Sequence, residues 1–202
     1  MTQENEPSAL QRVALYGGAF DPVHRAHLQV ARSAVETARL DQVVFIPAAH
    51  SPLKLEGPRA DDADRLHMLE IAIETDKTRF LVDQCELERG GVSYSFETVE
   101  LYRRKSPEAE LFWILGADQF TQLADWRAAD LLVEMVTFLV LARPGYSLKV
   151  PKIEGLRYEI IPAPLMELSS SEIRSRLKKG EPVNDWLSPA VEAFISEKGL
   201  YV

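Results

Sequence analysis

One cysteine in 202 residues, Cys85, rules out an intramolecular disulfide and any metal site built on several thiolates. Set between Gln84 and Glu86 in what reads as a strand, it is expected to serve packing rather than chemistry. The chain also has no apolar run near the ~20 residues that a membrane span needs. Its opening, Met1-Thr2-Gln3-Glu4-Asn5-Glu6, has neither the basic region nor the apolar core of a secretory signal, so a cytoplasmic protein with no membrane partner is expected. Positive charge is scarce: 23 Lys and Arg face 31 Asp and Glu, a formal net charge of −8. Nucleic acid is held through clustered basic side chains, so this balance argues against it as a partner. Any anionic substrate must then be drawn by local cations against the overall field. Internal repeats and low-complexity segments are missing as well.

What is present suits one globular domain over residues 1–202, since 46% of the residues are hydrophobic. Residues 1–11 read as a loose tail. Val13–Tyr16, Val43–Ile46, Phe80–Val82, Leu111–Leu115 and Val136–Leu141 are short apolar runs that suit strands, Val43–Ile46 one buried on both faces, and Tyr158–Ile161 suits a last strand. Helical patterns separate them: 26–38, 62–74 with Leu66, Leu69, Ile71 and Ile73 on its apolar side, one from Ser95, and 120–136 interrupted at Trp126-Arg127. Residues 146–157 read as irregular, closed off from the preceding strand by Arg143-Pro144-Gly145. Residues 168–202 form a small C-terminal helical part, with one helix capped by Ser169 and Glu172 and another opened by Ser188-Pro189. Strands alternating with helices predict a doubly wound, Rossmann-like α/β fold: a parallel sheet with helices on both faces and ligands beyond its carboxyl edge.

The stretch Gly17-Gly18-Ala19-Phe20-Asp21-Pro22-Val23-His24-Arg25-Ala26-His27 joins the first strand to the first helix. Paired glycines allow close backbone approach to a ligand, and a helix start offers N–H donors to phosphate. His24 and His27, three apart, share a helix face and suit a polyphosphate cradle. An ordinary strand-to-helix turn with polar surface histidines fits the same spacing. A dihistidine zinc hydrolase does not, because the separation is three and no glutamate lies between them. Further on, Leu168-Ser169-Ser170-Ser171-Glu172-Ile173-Arg174 puts three hydroxyls and a guanidinium at a helix start, which suits either an anion site or a plain N-cap with a solvated arginine. In Gly116-Ala117-Asp118-Gln119-Phe120-x-x-Leu123-x-x-Trp126, Asp118 suits ribose hydroxyls, a metal or a helix cap, and Trp126 suits either a pyridine ring or the core.

These segments together resemble the nucleotidylyltransferase signature in the form used by bacterial nicotinate-mononucleotide adenylyltransferases. Gly-Gly-x-Phe-Asp-Pro-x-His-x-x-His is similar to the family's first motif, with Ala26 where the family has Gly. The serine run is similar to its Ile-Ser-Ser-Thr-x-Ile-Arg segment. Gly90-Gly91-Val92-Ser93-Tyr94-Ser95 resembles its Gly-x-Ser-Tyr-Thr segment, and Pro52-Leu53-Lys54 matches its Pro-Pro-His-Lys loop only in part. The resemblance implies an enzyme joining nicotinate mononucleotide to ATP, with release of pyrophosphate and no covalent enzyme intermediate. It implies ATP contacts from Gly17, Gly18, Ala19, Phe20, His24, His27, Ser169, Ser170, Ser171 and Arg174, with His24, His27 and Arg174 as the catalytic set. Nicotinate mononucleotide is implied at Lys54, Ser93, Tyr94, Asp118 and Trp126, and Mg²⁺ would come with ATP rather than be held at a dedicated protein site. Phosphopantetheine adenylyltransferase and a non-catalytic nucleotide sensor of the same fold are the alternatives, and the sequence leaves homo-oligomerisation open.

Overall fold

A computed structural model describes residues 11–52, 56–142, 148–162 and 168–202. Leu53, Lys54, Arg143, Pro144, Gly145 and all of the expected tail but Gln11 lie outside the described residues. Six strands, β1 (Arg12–Gly18), β2 (Gln42–Pro47), β3 (Phe80–Val82), β4 (Glu110–Gly116), β5 (Thr137–Ala142) and β6 (Tyr158–Pro162), form one sheet in the order β3-β2-β1-β4-β5-β6. All five pairings are parallel. The chain works outward from β1 to β3, then crosses back to begin again at β4. The β1/β4 boundary is therefore the topological switch point, where neighbouring connections diverge and leave a crevice at the carboxyl edge.

Each strand supplies both faces by alternation. Ala14, Tyr16, Val43, Phe45, Phe112 and Ile114 face one layer, built from α1 (Arg25–Ala38), α2 (Asp62–Ala72), α7 (Ser170–Lys178) and α8 (Pro189–Lys198). Val13, Leu15, Val44, Ile46, Trp113 and Val140 face the other, which holds α3 (Cys85–Arg89), α4 (Ser95–Lys105), α5 (Ala117–Thr121) and α6 (Ala129–Met135). Burying each large apolar chain contributes about 1.5–3 kcal/mol, which explains why the continuous runs in β2, β4 and β5 became inner strands. Among the described residues no helix is long and apolar enough to cross a membrane.

Two local expectations are corrected. Cys85 opens the helix α3 rather than lying in a strand, because the Asp83 carboxylate accepts from its N–H (2.8 Å) and turns the chain after β3. Its thiol is buried, and that burial first, then the nearby Asp83 carboxylate, pushes it up to about 12, which keeps it unreactive. On α2 the buried positions are Arg65, Met68, Leu69 and Ala72, whereas Leu66 and Ile71 are only partly covered. The helix is turned so that a fully buried arginine reaches beneath the β1–α1 turn.

The glycine pair has a structural cause inside the protein. A Cβ on Gly17 would lie 3.0 Å from the Trp113 indole, and one on Gly18 would lie 3.0 Å from the Phe20 ring. Gly17→Ala should accordingly cost about 1–3 kcal/mol of stability through overpacking, measured by urea unfolding. Combined with Trp113→Phe, which removes the colliding atoms, it should cost less than the sum of the two single changes; strict additivity would place the strain elsewhere.

Candidate active site

The β1–α1 turn is held from three sides. The Asp21 carboxylate, 3% exposed, accepts from the N–H groups of Arg59 (2.8 Å) and Ala60 (3.0 Å) and from the Tyr201 hydroxyl (2.8 Å). Arg65 donates to the Ala19 carbonyl (2.8 Å) and pairs with Asp62 (2.6 Å). Phe20 is a core residue: its backbone is left-handed at φ 48°, and its ring meets Tyr16, His27 and Phe45 edge-on at 5.6, 5.0 and 5.6 Å. Its expected nucleotide contact can therefore come only from the main chain.

His24 caps α1, and its ring stacks on His27 at 3.7 Å, while its N–H donates to His27 Nδ1 (3.2 Å). Burial lowers its pKa from 6.5 to about 4, and its Nδ1 has no hydrogen-bond partner among the described residues. In the free protein His24 is thus a neutral polar group beside the turn, available as a hydrogen-bonding member of the expected cradle rather than as a charge. Its stacked partner His27 is partly exposed.

Helix α7 docks against this turn. Ser170 donates to the Pro22 carbonyl (3.0 Å), and Arg174 donates to the Asp21 carbonyl (2.6 Å), lies 3.4 Å from the Asp21 carboxylate and donates to Ser171 (3.1 Å). Ser169 accepts from the Glu172 N–H (3.1 Å) as the N-cap. The structure therefore brings Gly17–Ala19, His24, His27, Ser169–Ser171 and Arg174 together, and the cap role of Ser169 coexists with a place at the turn.

A cavity of about 560 Å³ opens on the other side of β1, within the range of small-ligand sites. Gly17, Gly18 and Ala19 form one end, and Ser93, Tyr94, Trp126 and Arg127 form another part of its wall. Ser93 accepts from the Ala49 N–H (3.0 Å), and its own N–H donates to the His50 carbonyl (2.8 Å), which ties the loop after β2 to the start of α4. Trp126 packs partly against the core and also lines the cavity, so the two readings of it are compatible. Asp118 does not line the cavity. It is exposed in the first turn of α5, folded back over Gly116. Lys54 lies outside the described residues.

Several residues were not singled out from the sequence. Glu86 is buried in the cavity wall, where desolvation pushes its carboxyl up while the Thr98 hydroxyl donates to it (2.6 Å) and Ser93 bonds it as well. Arg127 lies over the Tyr94 ring at 4.6 Å. Asp21 and Tyr201 escaped notice because 180 positions separate them and no local pattern links them. Among the described residues no three or more His, Cys, Asp or Glu side chains cluster as a metal site.

Residues 15–176 match the family described as cytidylyltransferase-like. A protein of Thermus thermophilus, named a probable nicotinate-nucleotide adenylyltransferase, is 41% identical over 192 residues, covering 94% of this chain and 99% of the relative. One of Opitutus terrae with the same name is 39% identical over 191 residues, covering 94% and 97%. The chain belongs to the nicotinate-nucleotide adenylyltransferase family. The nicotinic acid mononucleotide adenylyltransferase of Plasmodium falciparum, solved with NaAD, shares the fold at a TM-score of 0.76 and 20% identity, covering 95% of this chain and 97% of that one.

The buried neutral His24 makes stability depend on pH. Its folded pKa of about 4 lies below the ordinary 6.5, so the unfolded chain binds the extra proton between those values. Stability from this group is complete above pH 6.5 and falls as the pH drops toward 4, by roughly 3 kcal/mol in all. Urea unfolding of the protein and of His24→Asn across pH 4–7 should show a shallower loss in the variant; parallel curves would refute the neutral assignment.

Proposed function

We propose that the protein transfers the adenylyl group of ATP to nicotinate mononucleotide, forming nicotinate adenine dinucleotide and pyrophosphate for NAD biosynthesis. One observation carries the reading: the cavity at the β1/β4 switch point runs from the β1–α1 turn to an aromatic wall of Tyr94 and Trp126. A polyphosphate at the turn and a pyridine ring against that wall would meet at Gly17–Ala19. The membership of the chain in the family supports the same pair of substrates.

In the reaction a phosphate oxygen of nicotinate mononucleotide bonds to the α-phosphorus of ATP as the bond to the pyrophosphate oxygen breaks. Such a step needs orientation and charge stabilisation more than covalent help, and orienting two bound reactants supplies about 7–11 kcal/mol. His24 and His27 would donate hydrogen bonds to the polyphosphate, and Arg174 would add a guanidinium held in place through Asp21 and Ser171. Ser170 holds the start of α7 against the turn, Ser169 caps it and Ser171 steadies Arg174, so that the helix N–H groups there favour an anion. Mg²⁺ would come with ATP as part of the substrate rather than from a dedicated protein site, and would supply positive charge to offset that of the polyphosphate.

At the other end, the N–H groups of Ser95 and Phe96 open α4 and have no acceptor within their own helix. A pyridine carboxylate satisfies such donors, whereas an amide would turn its own N–H toward them. Ser93 fixes this helix start, Tyr94 and Trp126 flank the ring, and Lys54 suits the mononucleotide phosphate, whereas Asp118, exposed outside the cavity at the start of α5, keeps only the family resemblance for a ribose contact.

Pyrophosphate release with ATP and nicotinate mononucleotide tests the function, run beside the amide nucleotide and 4′-phosphopantetheine. Turnover that is fastest with the acid nucleotide is expected; binding without turnover, or turnover only with 4′-phosphopantetheine, overturns the reading. His27→Ala should lower kcat by ~10²–10³, the usual result of losing one preorganised donor. Trp126→Ala should raise the KM for nicotinate mononucleotide and leave that for ATP unchanged, since one stacking partner is worth about 1–3 kcal/mol. Equal weakening of both substrates would make Trp126 a packing residue.

A further inference from the structure

The net charge of −8 opposes any anionic substrate, so the cations that face the cavity matter individually. Among the described residues that line it, Arg127 is the only Lys or Arg, while Glu86 and Asp125 are carboxyl groups. Arg127 sits at the rim with its side chain 61% exposed and its guanidinium over Tyr94, the residue that caps α4. That places a positive charge beside the N–H groups at the start of this helix.

The charges around it do not balance. Glu97 lies 3.6 Å from Arg127 through one carboxylate oxygen and 3.3 Å from Arg89 through the other. Two guanidiniums thus share one carboxylate, so Glu97 only partly offsets the Arg127 charge, and Arg127 is the one cation among the described lining residues to set against Glu86 and Asp125 when an anion binds. The backbone there is also fixed: Trp126 ends a 3₁₀ turn at Leu123–Asp125, and Ala128 holds a left-handed conformation at φ 54°. A non-glycine residue in that region persists only where its surroundings over-determine it. The main chain of Arg127 is held between these two residues, and its guanidinium is kept near the cavity by the Tyr94 ring and Glu97.

We propose that the Arg127 guanidinium is a specificity-determining group that selects the pyridine carboxylate of nicotinate mononucleotide over the uncharged amide. The inference rests on the adenylyl-transfer reading above. A neutral carboxamide gains little from the guanidinium charge, whereas a carboxylate gains a charge-assisted contact in addition to the helix N–H groups. Exposure limits the gain, so the selection is a modest multiplier on that of the backbone donors.

The test compares KM values of the protein, Arg127→Gln and Arg127→Lys for nicotinate mononucleotide, nicotinamide mononucleotide and ATP. Arg127→Gln should raise the KM for the acid roughly five- to tenfold, the size of one charge-assisted contact at a half-open site, with the amide and ATP values and the melting temperature unchanged. Arg127→Lys should keep part of the preference, and added salt should erode it in the unaltered protein more than in Arg127→Gln. An unchanged acid-to-amide ratio in Arg127→Gln, or equal losses for both mononucleotides, overturns the inference and leaves Arg127 a support for Tyr94. That outcome is separate from failure of the adenylyl-transfer reading, which would show as no turnover of the acid nucleotide by the unaltered protein.

Discussion

The buried carboxylate of Asp21 is the interaction on which the phosphate side of this molecule depends. A carboxylate taken out of water is tolerated only when donors surround it, and here two main-chain N–H groups, a tyrosine hydroxyl and a guanidinium do so. These donors come from the segment before α2, from α7 and from the residues after α8. One side chain therefore joins four separate parts of the sequence around the turn that follows β1. The desolvated Asp21 also raises the ionisation of Tyr201, after burial itself, so the tyrosine stays a hydroxyl donor.

The cations are arranged in depth around that anion. Arg65 is fully buried and grips the Ala19 carbonyl from below, whereas Arg174 is partly exposed and reaches the same turn from α7. An acidic protein can still present a positive surface to a polyphosphate in this way, because the fields of nearby groups dominate over distant surface charge once salt screens the latter. His24 fits the same logic in reverse. Kept neutral by burial, it adds no further repulsion to the arginines until an anion arrives.

The legible parts of the sequence were those fixed by local pattern. Continuous apolar runs marked the first five strands, and Ser169 with Glu172 and Ser188 with Pro189 marked two helix starts, because these signals act over a few residues, whereas β6, interrupted by Glu159 and largely exposed, gave the faintest one. The illegible parts were set by distant neighbours. Arg65 took a core position that pattern assigns to Leu66 or Ile71, since its partner is a carbonyl far away in sequence. The glycines that end β1 were read as making room for a ligand, and the first objects they make room for are the rings of Trp113 and Phe20. Arg127 stood inside an interruption of the helical pattern, and only the fold shows that this break faces the cavity.

The separation of the Asp21 partners has a consequence for how the protein is made. Asp21 enters the growing chain early, but Arg174 follows 153 positions later and Tyr201 follows 180 later. Until both have left the ribosome, the turn after β1 holds a carboxylate without its full set of donors, however complete the sheet already is. The sheet and its helices can assemble as synthesis proceeds, whereas the nucleotide side cannot. A nascent chain would then carry the fold before it carries a competent site, with assembly of the scaffold and onset of chemistry divided in time by a single ionised side chain.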